Sequence, residues 1–166
     1  VLDTDTYNEI DDQYALAYAL LSPEKIGLEA VYAAPFCGQM FFEIPPENQR
    51  AKDPADGMEQ SYQEILRVFR LMGREDMNSK AFRGSAQFME APGVPVESEA
   101  ARDLVKKAMA FPENEKLYVV AIGAITNVAS ALLMEPAIKD KIVVVWLGGN
   151  APWWPDNTEF NSSQDI

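Results

Sequence analysis

The chain opens on Val1-Leu2-Asp3-Thr4-Asp5-Thr6-Tyr7-Asn8-Glu9-Ile10-Asp11-Asp12, and the reading of this stretch decides the rest. A short apolar run delivers Asp3 and Asp5. Asp11 and Asp12 then open a helix-like run that continues to Leu21 (DDQYALAYALL). Carboxylates this dense repel one another unless something positive lies among them. A hard cation held by oxygen ligands is the simplest partner. Asp3 and Asp5, spaced by two on an extended chain, share one face. Asp11 and Asp12 are neighbours in a first helical turn, about 100° apart around the axis. One of them can face a metal while the other faces something else. The plainer alternative is an acidic first turn that suits the helix dipole, followed by nothing more than a solvated loop.

Working outward, Val1 to Asp5 reads as the end of a buried strand, and Ser22-Pro23 stops the first helix. Leu28 to Ala34 (LEAVYAA) is a second strand, and Pro35 to Lys52 reads as loop. Asp53-Pro54-Ala55-Asp56 predicts a capped helix start. Met58, Tyr62, Ile65, Leu66, Phe69 and Met72 recur at helical spacing up to Gly73. Met77 to Gly84 is a weak strand or loop, and Ser85 to Glu97 is loop-like. Ser98 caps a helix ended by Pro112. Leu117 to Ile122 (LYVVAI) and Ile142 to Leu147 (IVVVWL) are apolar strands, with a helix from Thr126 or Asn127 through Met134 between them. Past Gly148-Gly149-Asn150 a loop rich in Trp, Pro and Asn is expected to run to the end.

Strands alternate with helices, and the strands are apolar on both faces. That predicts an α/β fold: a Rossmann-like, mostly parallel sheet covered by helices on both faces. Ligands of such sheets bind beyond the carboxyl ends of the strands. The polar and glycine residues of interest fall there: Asp3 and Asp5, Gly123, and Gly148-Gly149-Asn150.

Composition narrows the chemistry. The 166 residues carry no histidine, one cysteine (Cys37) and a net charge of −12. The charge argues against nucleic acid and against an anionic membrane surface as partners. The missing histidines remove Ser-His-Asp and Cys-His catalysis from this stretch, and a zinc site with them. Carboxylates, amides, hydroxyls and a hard metal remain. No apolar run is long enough to span a bilayer. The expected compartment is the cytoplasm, with secretion or a periplasmic location left open.

The D-x-D…D-D arrangement resembles the signature of the inosine-uridine preferring nucleoside hydrolase family, whose link is usually shorter, of the type DTDPGIDD. Here Thr6-Tyr7-Asn8-Glu9-Ile10 makes it two residues longer. Two later blocks are similar to the family as well. Val120-Ala121-Ile122-Gly123-Ala124-Ile125-Thr126-Asn127-Val128-Ala129, with Leu133-Met134-Glu135-Pro136 after it, resembles the family's strand, G-x-x-T-N helix start and EP ending. Leu147-Gly148-Gly149, then Glu159-Phe160-Asn161, resembles its M-G-G…E-F-N block.

The resemblance implies Ca²⁺-dependent hydrolysis of the N-glycosidic bond of ribonucleosides. Asp5, Asp12 and the main-chain carbonyl of Ile122 would ligate the calcium ion. Asp5 would also be the base activating a metal-bound water. Asp11 would hold a ribose hydroxyl, Glu159 and Asn161 would grip the sugar, and Leu147 would pack near its 5′ end. Asp3 would orient the site from behind. Asn157 or Asn150 would supply a further sugar contact, and Trp153 and Trp154 are more simply loop packing than base stackers. Relatives are usually dimers or tetramers, so a homo-oligomer binding a nucleoside or ribosyl small molecule is implied.

The sequence departs from the family at several points. Family members are longer, and their late His-Asp pair has no counterpart before Ile166. The expectation is therefore one nucleoside-hydrolase-like α/β domain over residues 1–166, the N-terminal part of a longer chain. The family's V-G-N ending after strand two is replaced by Ala34-Pro35-Phe36, and Leu147 stands where Met is common. A catalytically impaired relative that binds a ribosyl ligand at the same acidic site is the alternative. An aspartyl-phosphate phosphatase pattern, D-x-D-x-T, is a weaker one, since Tyr7 stands where its Thr belongs.

Overall fold

A computed structural model describes residues 1–38, 51–156 and 158–165. Among the described residues, ten strands and α-helices follow one another. Strands are β1 (Leu2–Thr4), β2 (Val31–Ala33), β3 (Ala81–Arg83), β4 (Leu117–Ala121) and β5 (Ile142–Trp146). Helices are α1 (Ile10–Leu21), α2 (Pro54–Leu71), α3 (Glu99–Ala110), α4 (Thr126–Met134) and α5 (Phe160–Gln164). Short 3₁₀ turns at Glu75–Lys80 and Pro136–Asp140 lead into β3 and β5. The helix starts follow their side chains. Asp53 accepts the N–H of Asp56 at 2.9 Å, and Ser98 accepts that of Ala101 at 3.0 Å.

The five strands form one parallel sheet in the order β3-β2-β1-β4-β5. The chain winds outward from β1 through β2 to β3, then crosses back to β4 on the other side of β1. The strand order therefore reverses at β1, and the crevice beyond the carboxyl ends of β1 and β4 is the switch point where such sheets bind ligands. Helices lie on both faces. One face packs Leu2, Val31 and Ala33 against Leu16 and Leu20 of α1 and Ile65 and Phe69 of α2. The other packs Tyr32, Val119 and Ala121 against Leu104 of α3 and Val128 of α4.

The expected parallel sheet with helices on both faces is observed; the residues of β1 and β2 are all buried, while one face of β4 and β5 is partly exposed. Leu117, Val119 and Ala121 are buried against α3 and α4, yet Tyr118 and Val120 between them are 60% and 37% exposed. In the parallel register Val120 pairs with Val145, which is 50% exposed, and Leu147 beyond it is 59% exposed. Ala15, Tyr18 and Ala19 of α1 line a cavity with Val120 on this side. Continuous Val and Ile runs look alike whether one face or two is covered, so the sequence alone does not show this exposure.

A correction concerns the stretch after Asn150. The loop expected to run to the terminus instead turns into α5 after Glu159. Five residues reading FNSSQ carry too little periodicity to reveal a helix. Most of the loop assigned to Pro35–Lys52 lies outside the described residues, as does Asn157. Among the described residues no helix is long and apolar enough to cross a membrane.

The uneven covering makes a stability test. Leu104→Ala, in the fully buried layer, is expected to cost about 2–5 kcal/mol in a denaturant titration. Val145→Thr, on the bare face, is expected to change stability by less than about 0.5 kcal/mol. A Val145→Thr cost as large as that of Leu104→Ala would show this face to be covered.

Candidate functional site

The two strands at the switch point deliver the site. β1 ends in Asp3, Thr4 and Asp5, all of them at most 2% exposed. Alternation sends Leu2 and Thr4 towards α1 and Asp3 towards α4. The Thr4 hydroxyl donates a short hydrogen bond to Asp12 Oδ1 on α1 and lies 3.0 Å from the Thr6 hydroxyl. On the opposite side Asp3 Oδ1 accepts from Asn127 Nδ2 at 2.9 Å. Asp3 Oδ2 is buried with no hydrogen-bond partner among the described residues.

Asp5 is held from two directions. Asn8 Nδ2 donates to Asp5 Oδ2 at 3.0 Å. Asp5 Oδ1 lies over Gly123, where an added Cβ would approach it to 2.7 Å. Residue 123 is therefore glycine for the sake of the carboxylate above it. Ile122, just before, donates its N–H to the Asp3 carbonyl at 2.8 Å and accepts from Asn161 Nδ2 at 3.2 Å. The same amide nitrogen reaches the Leu147 carbonyl at 2.9 Å. Asn161 thus ties α5 to the ends of β4 and β5.

Electrostatics set this cluster apart. Burial pushes Asp3 up to about 7; the Asn127 bond partly offsets this, and the Asp5 charge adds to it. Burial likewise raises Asp5 well above the usual carboxylate range, the Asn8 bond opposing and Glu9 and Asp11 adding. Asp12 is raised by burial first and by the Asp5 charge second, with the Thr4 bond opposing. No Lys or Arg forms an ion pair with any of the three among the described residues. The donors on offer are all oxygens: two adjacent carboxylates and the Ile122 carbonyl. That chemistry suits a hard cation. The described residues contain no group of three or more Asp, Glu, His or Cys side chains placed to hold a metal.

The remaining expected residues are placed as follows. Asp11 is exposed on the first turn of α1, beside the buried Asp12. Leu147 is exposed at the end of β5. Glu159 caps α5, accepting the N–H groups of Asn161 and Ser162 at 2.9 Å each and of Gly149 at 2.7 Å. Burial pulls its carboxyl upward, and these backbone bonds outweigh that and hold it below its usual value. Three bonds leave about one of its four lone-pair sites for a ligand. Asn150 turns to the Asp156 carbonyl of its own loop, and Trp153 and Trp154 are exposed.

Thr4 and Asn8 carry no motif of their own: Thr4 reads as strand filler and Asn8 as part of a long link. Asn127 belongs to the G-x-x-T-N block but reads there only as a helix start. The signal for Asn127 is its placement. Its side chain is fully buried, and it bonds Asp3, the Ala33 carbonyl at 3.2 Å, and Ser85 through both N–H (2.8 Å) and hydroxyl (3.0 Å). Two cavities of about 580 and 610 Å³ lie near the cluster. They touch it only through Tyr7 and Ile122 respectively, so neither contains the carboxylates.

The family model described as inosine-uridine preferring nucleoside hydrolase matches residues 47–166. A probable uridine nucleosidase 2 of Arabidopsis thaliana is 27% identical over 158 residues, which is 90% of this chain and 46% of that protein. A purine-preferring ribonucleoside hydrolase from Gardnerella vaginalis matches with a TM-score of 0.64 at 23% identity, over 99% of this chain and 54% of that one. The type III effector protein XopQ, solved with adenosine diphosphate ribose, matches with a TM-score of 0.67 at 20% identity, over 99% and 49%. At these identities the two structures speak for the fold alone. The chain spans about half the length of the relatives it matches.

The raised carboxyls give the metal-free chain a distinct pH response. Once folded, it keeps protons on Asp3, Asp5 and Asp12 where an unfolded chain, with carboxyls near pH 4, has shed them. Unfolding then releases protons, so stability falls as pH rises from about 4 through about 7. In chelator the denaturation midpoint is expected to be higher near pH 5 than near pH 8, and Asp12→Asn is expected to flatten the difference. A midpoint that climbs with pH over this window would contradict the burial argument.

Proposed function

The chain belongs to the inosine-uridine preferring nucleoside hydrolase family, and from that premise we propose that it serves hydrolysis of the N-glycosidic bond of ribonucleosides, with Asp5 as the base. The observation that carries the reading is a pair of buried carboxylates, Asp5 and Asp12, held at the switch point of a parallel sheet without a cationic side chain. Structure that keeps like charges together and dry is structure prepared for a ligand that compensates them.

Asp5, Asp12 and the Ile122 carbonyl would hold a Ca²⁺ ion. The oxygen-only donor set of Asp5, Asp12 and the Ile122 carbonyl fits a hard cation. When bound, the ion supplies the positive charge that keeps the carboxylates ionised and gives hydroxyl oxygens a point of attachment. A Ca²⁺ ion usually takes 6–8 oxygens, so these three residues would supply only part of its shell.

The chain's own residues then divide the work. Asp5 accepts a proton from the attacking water as that water's oxygen bonds to C1′ of the ribose. The C1′–N bond breaks and its electron pair leaves with the base. Positive charge develops on the sugar ring, as in glycoside hydrolysis generally, and the surrounding oxygens stabilise it. Asp11, exposed beside the pair, takes a ribose hydroxyl. Asn161 keeps its Nδ2 on the Ile122 and Leu147 carbonyls and offers its Oδ1, which makes no hydrogen bond among the described residues. Glu159 offers its remaining lone pair, and Leu147 an apolar contact. Asp3 supports the site from behind through Asn127. A nucleoside or ribosyl small molecule is accordingly the proposed partner.

The test is nucleoside cleavage by the longest natural form of the chain, with Ca²⁺ and with chelator. Cleavage that chelator abolishes and Ca²⁺ restores is the expected result. Asp5→Ala is expected to lower turnover by about 10²–10⁴-fold, the range of a lost general base. Full turnover in chelator would sink the metal role, and undiminished turnover by Asp5→Ala would sink the base assignment. Ribose-dependent thermal stabilisation without any cleavage would favour the impaired relative that binds without turnover.

A further inference from the structure

The five-residue link between Asp5 and Asp11 is where this chain departs most from the family pattern of its first motif, and the structure shows what the added length contains. Tyr7, its second residue, is 45% exposed, whereas Asn8 at its middle is 6% exposed. The Asn8 backbone N–H donates to the Asp5 carbonyl at 2.7 Å and closes a turn. Its side chain folds back onto the same residue, Nδ2 to Asp5 Oδ2 at 3.0 Å. The turn is already closed by the backbone bond, so the side-chain bond is an addition that the turn does not need. On the far side of the carboxylate, Oδ1 rests against Gly123.

We propose that Asn8 is a positioning residue, and that the longer link places its amide on Asp5 Oδ2 to fix the orientation of the carboxylate. A carboxylate is broad and roughly two-fold about its last torsion, and two features remove that freedom here. Gly123 admits Oδ1 where any side chain would exclude it. The Asn8 amide claims one lone pair of Oδ2. Asp5 is thereby held in one orientation with its other lone pairs open to a cation and a water. An amide is suited to this task because it donates without adding charge. A Lys or Arg in its place would compete with the cation for the carboxylate.

The inference rests on the proposed role of Asp5, and its test separates the two. Ca²⁺ binding by the full chain is measured by calorimetry, and Tb³⁺ binding by luminescence, for the wild type and for Asn8→Ala. Asn8→Ala is expected to weaken Ca²⁺ roughly tenfold, as loss of one hydrogen bond to a charged group does, while its melting temperature stays within a few degrees of wild type. Equal affinity in the two proteins would overturn the role of Asn8 and leave the Ca²⁺ site standing. A wild type that binds neither ion would overturn both. A second measurement holds if Asn8→Ala fails to fold: the ¹⁵N-resolved side-chain amide protons of Asn8, compared between wild type and Asp5→Asn. A shifted resonance is expected, and an unmoved one would overturn the proposal.

Discussion

The hydrogen bonds of one buried amide hold the functional end of the sheet together. Asn127 bonds Asp3 on β1, the carbonyl that ends β2 and Ser85 just past β3, from its own place in the first turn of α4. The Ser98 hydroxyl, which caps α3, lies 3.5 Å from the same Oδ1. Side chains rarely reach so many elements at once, and a fully buried amide can remain buried only if its donors and acceptors are met. The constraint runs backwards into the sequence. Gly84 has no room for a Cβ, which would sit 1.9 Å from the Ala33 carbonyl and 2.5 Å from the Asn127 amide. Small residues line the approach because the hub must be reached by backbone.

From that hub the logic of the site follows by alternation along β1. Asp3 faces the hub, Thr4 faces α1 and Asp12, and Asp5 reaches the gap over Gly123. Each carboxylate is oriented by a neutral donor: Asn127 for Asp3, Asn8 for Asp5, Thr4 for Asp12. Neutral donors fix geometry and leave charge uncompensated, and that is the difference between this cluster and the surface ion pairs elsewhere, such as Arg83 with Glu59.

Much of the fold could be read in the sequence because parallel strands announce themselves as apolar runs and helices as capped periodic segments. Asp53 and Ser98 are caps in the structure as in the sequence. The carboxylate motif placed Asp5 and Asp12 together for the same reason: a strand end followed at once by a helix start fixes their neighbourhood locally. What could not be read depends on contacts distant in sequence. Nothing near Asn127 marks it as the partner of Asp3, 124 residues away. Glu159 reads as a free acid until the N–H groups of α5 and Gly149 are seen to converge on it. The bare flank of β4 and β5 could not be read either, because a run such as IVVVW reports the apolar character of a strand and says nothing of how many layers cover it.

That flank bears on how the chain behaves among its own kind. β5 stands at the edge of the sheet, with Tyr118, Val120, Val145 and Leu147 open beside it. Natural sheets guard such edges with charge, and the strand itself carries none. The net charge of −12 on these 166 residues supplies a long-range repulsion that acts before two faces meet. Repulsion of this kind is screened beyond about 8 Å at physiological ionic strength. The tendency of this flank to meet another copy is thus set by the salt around it.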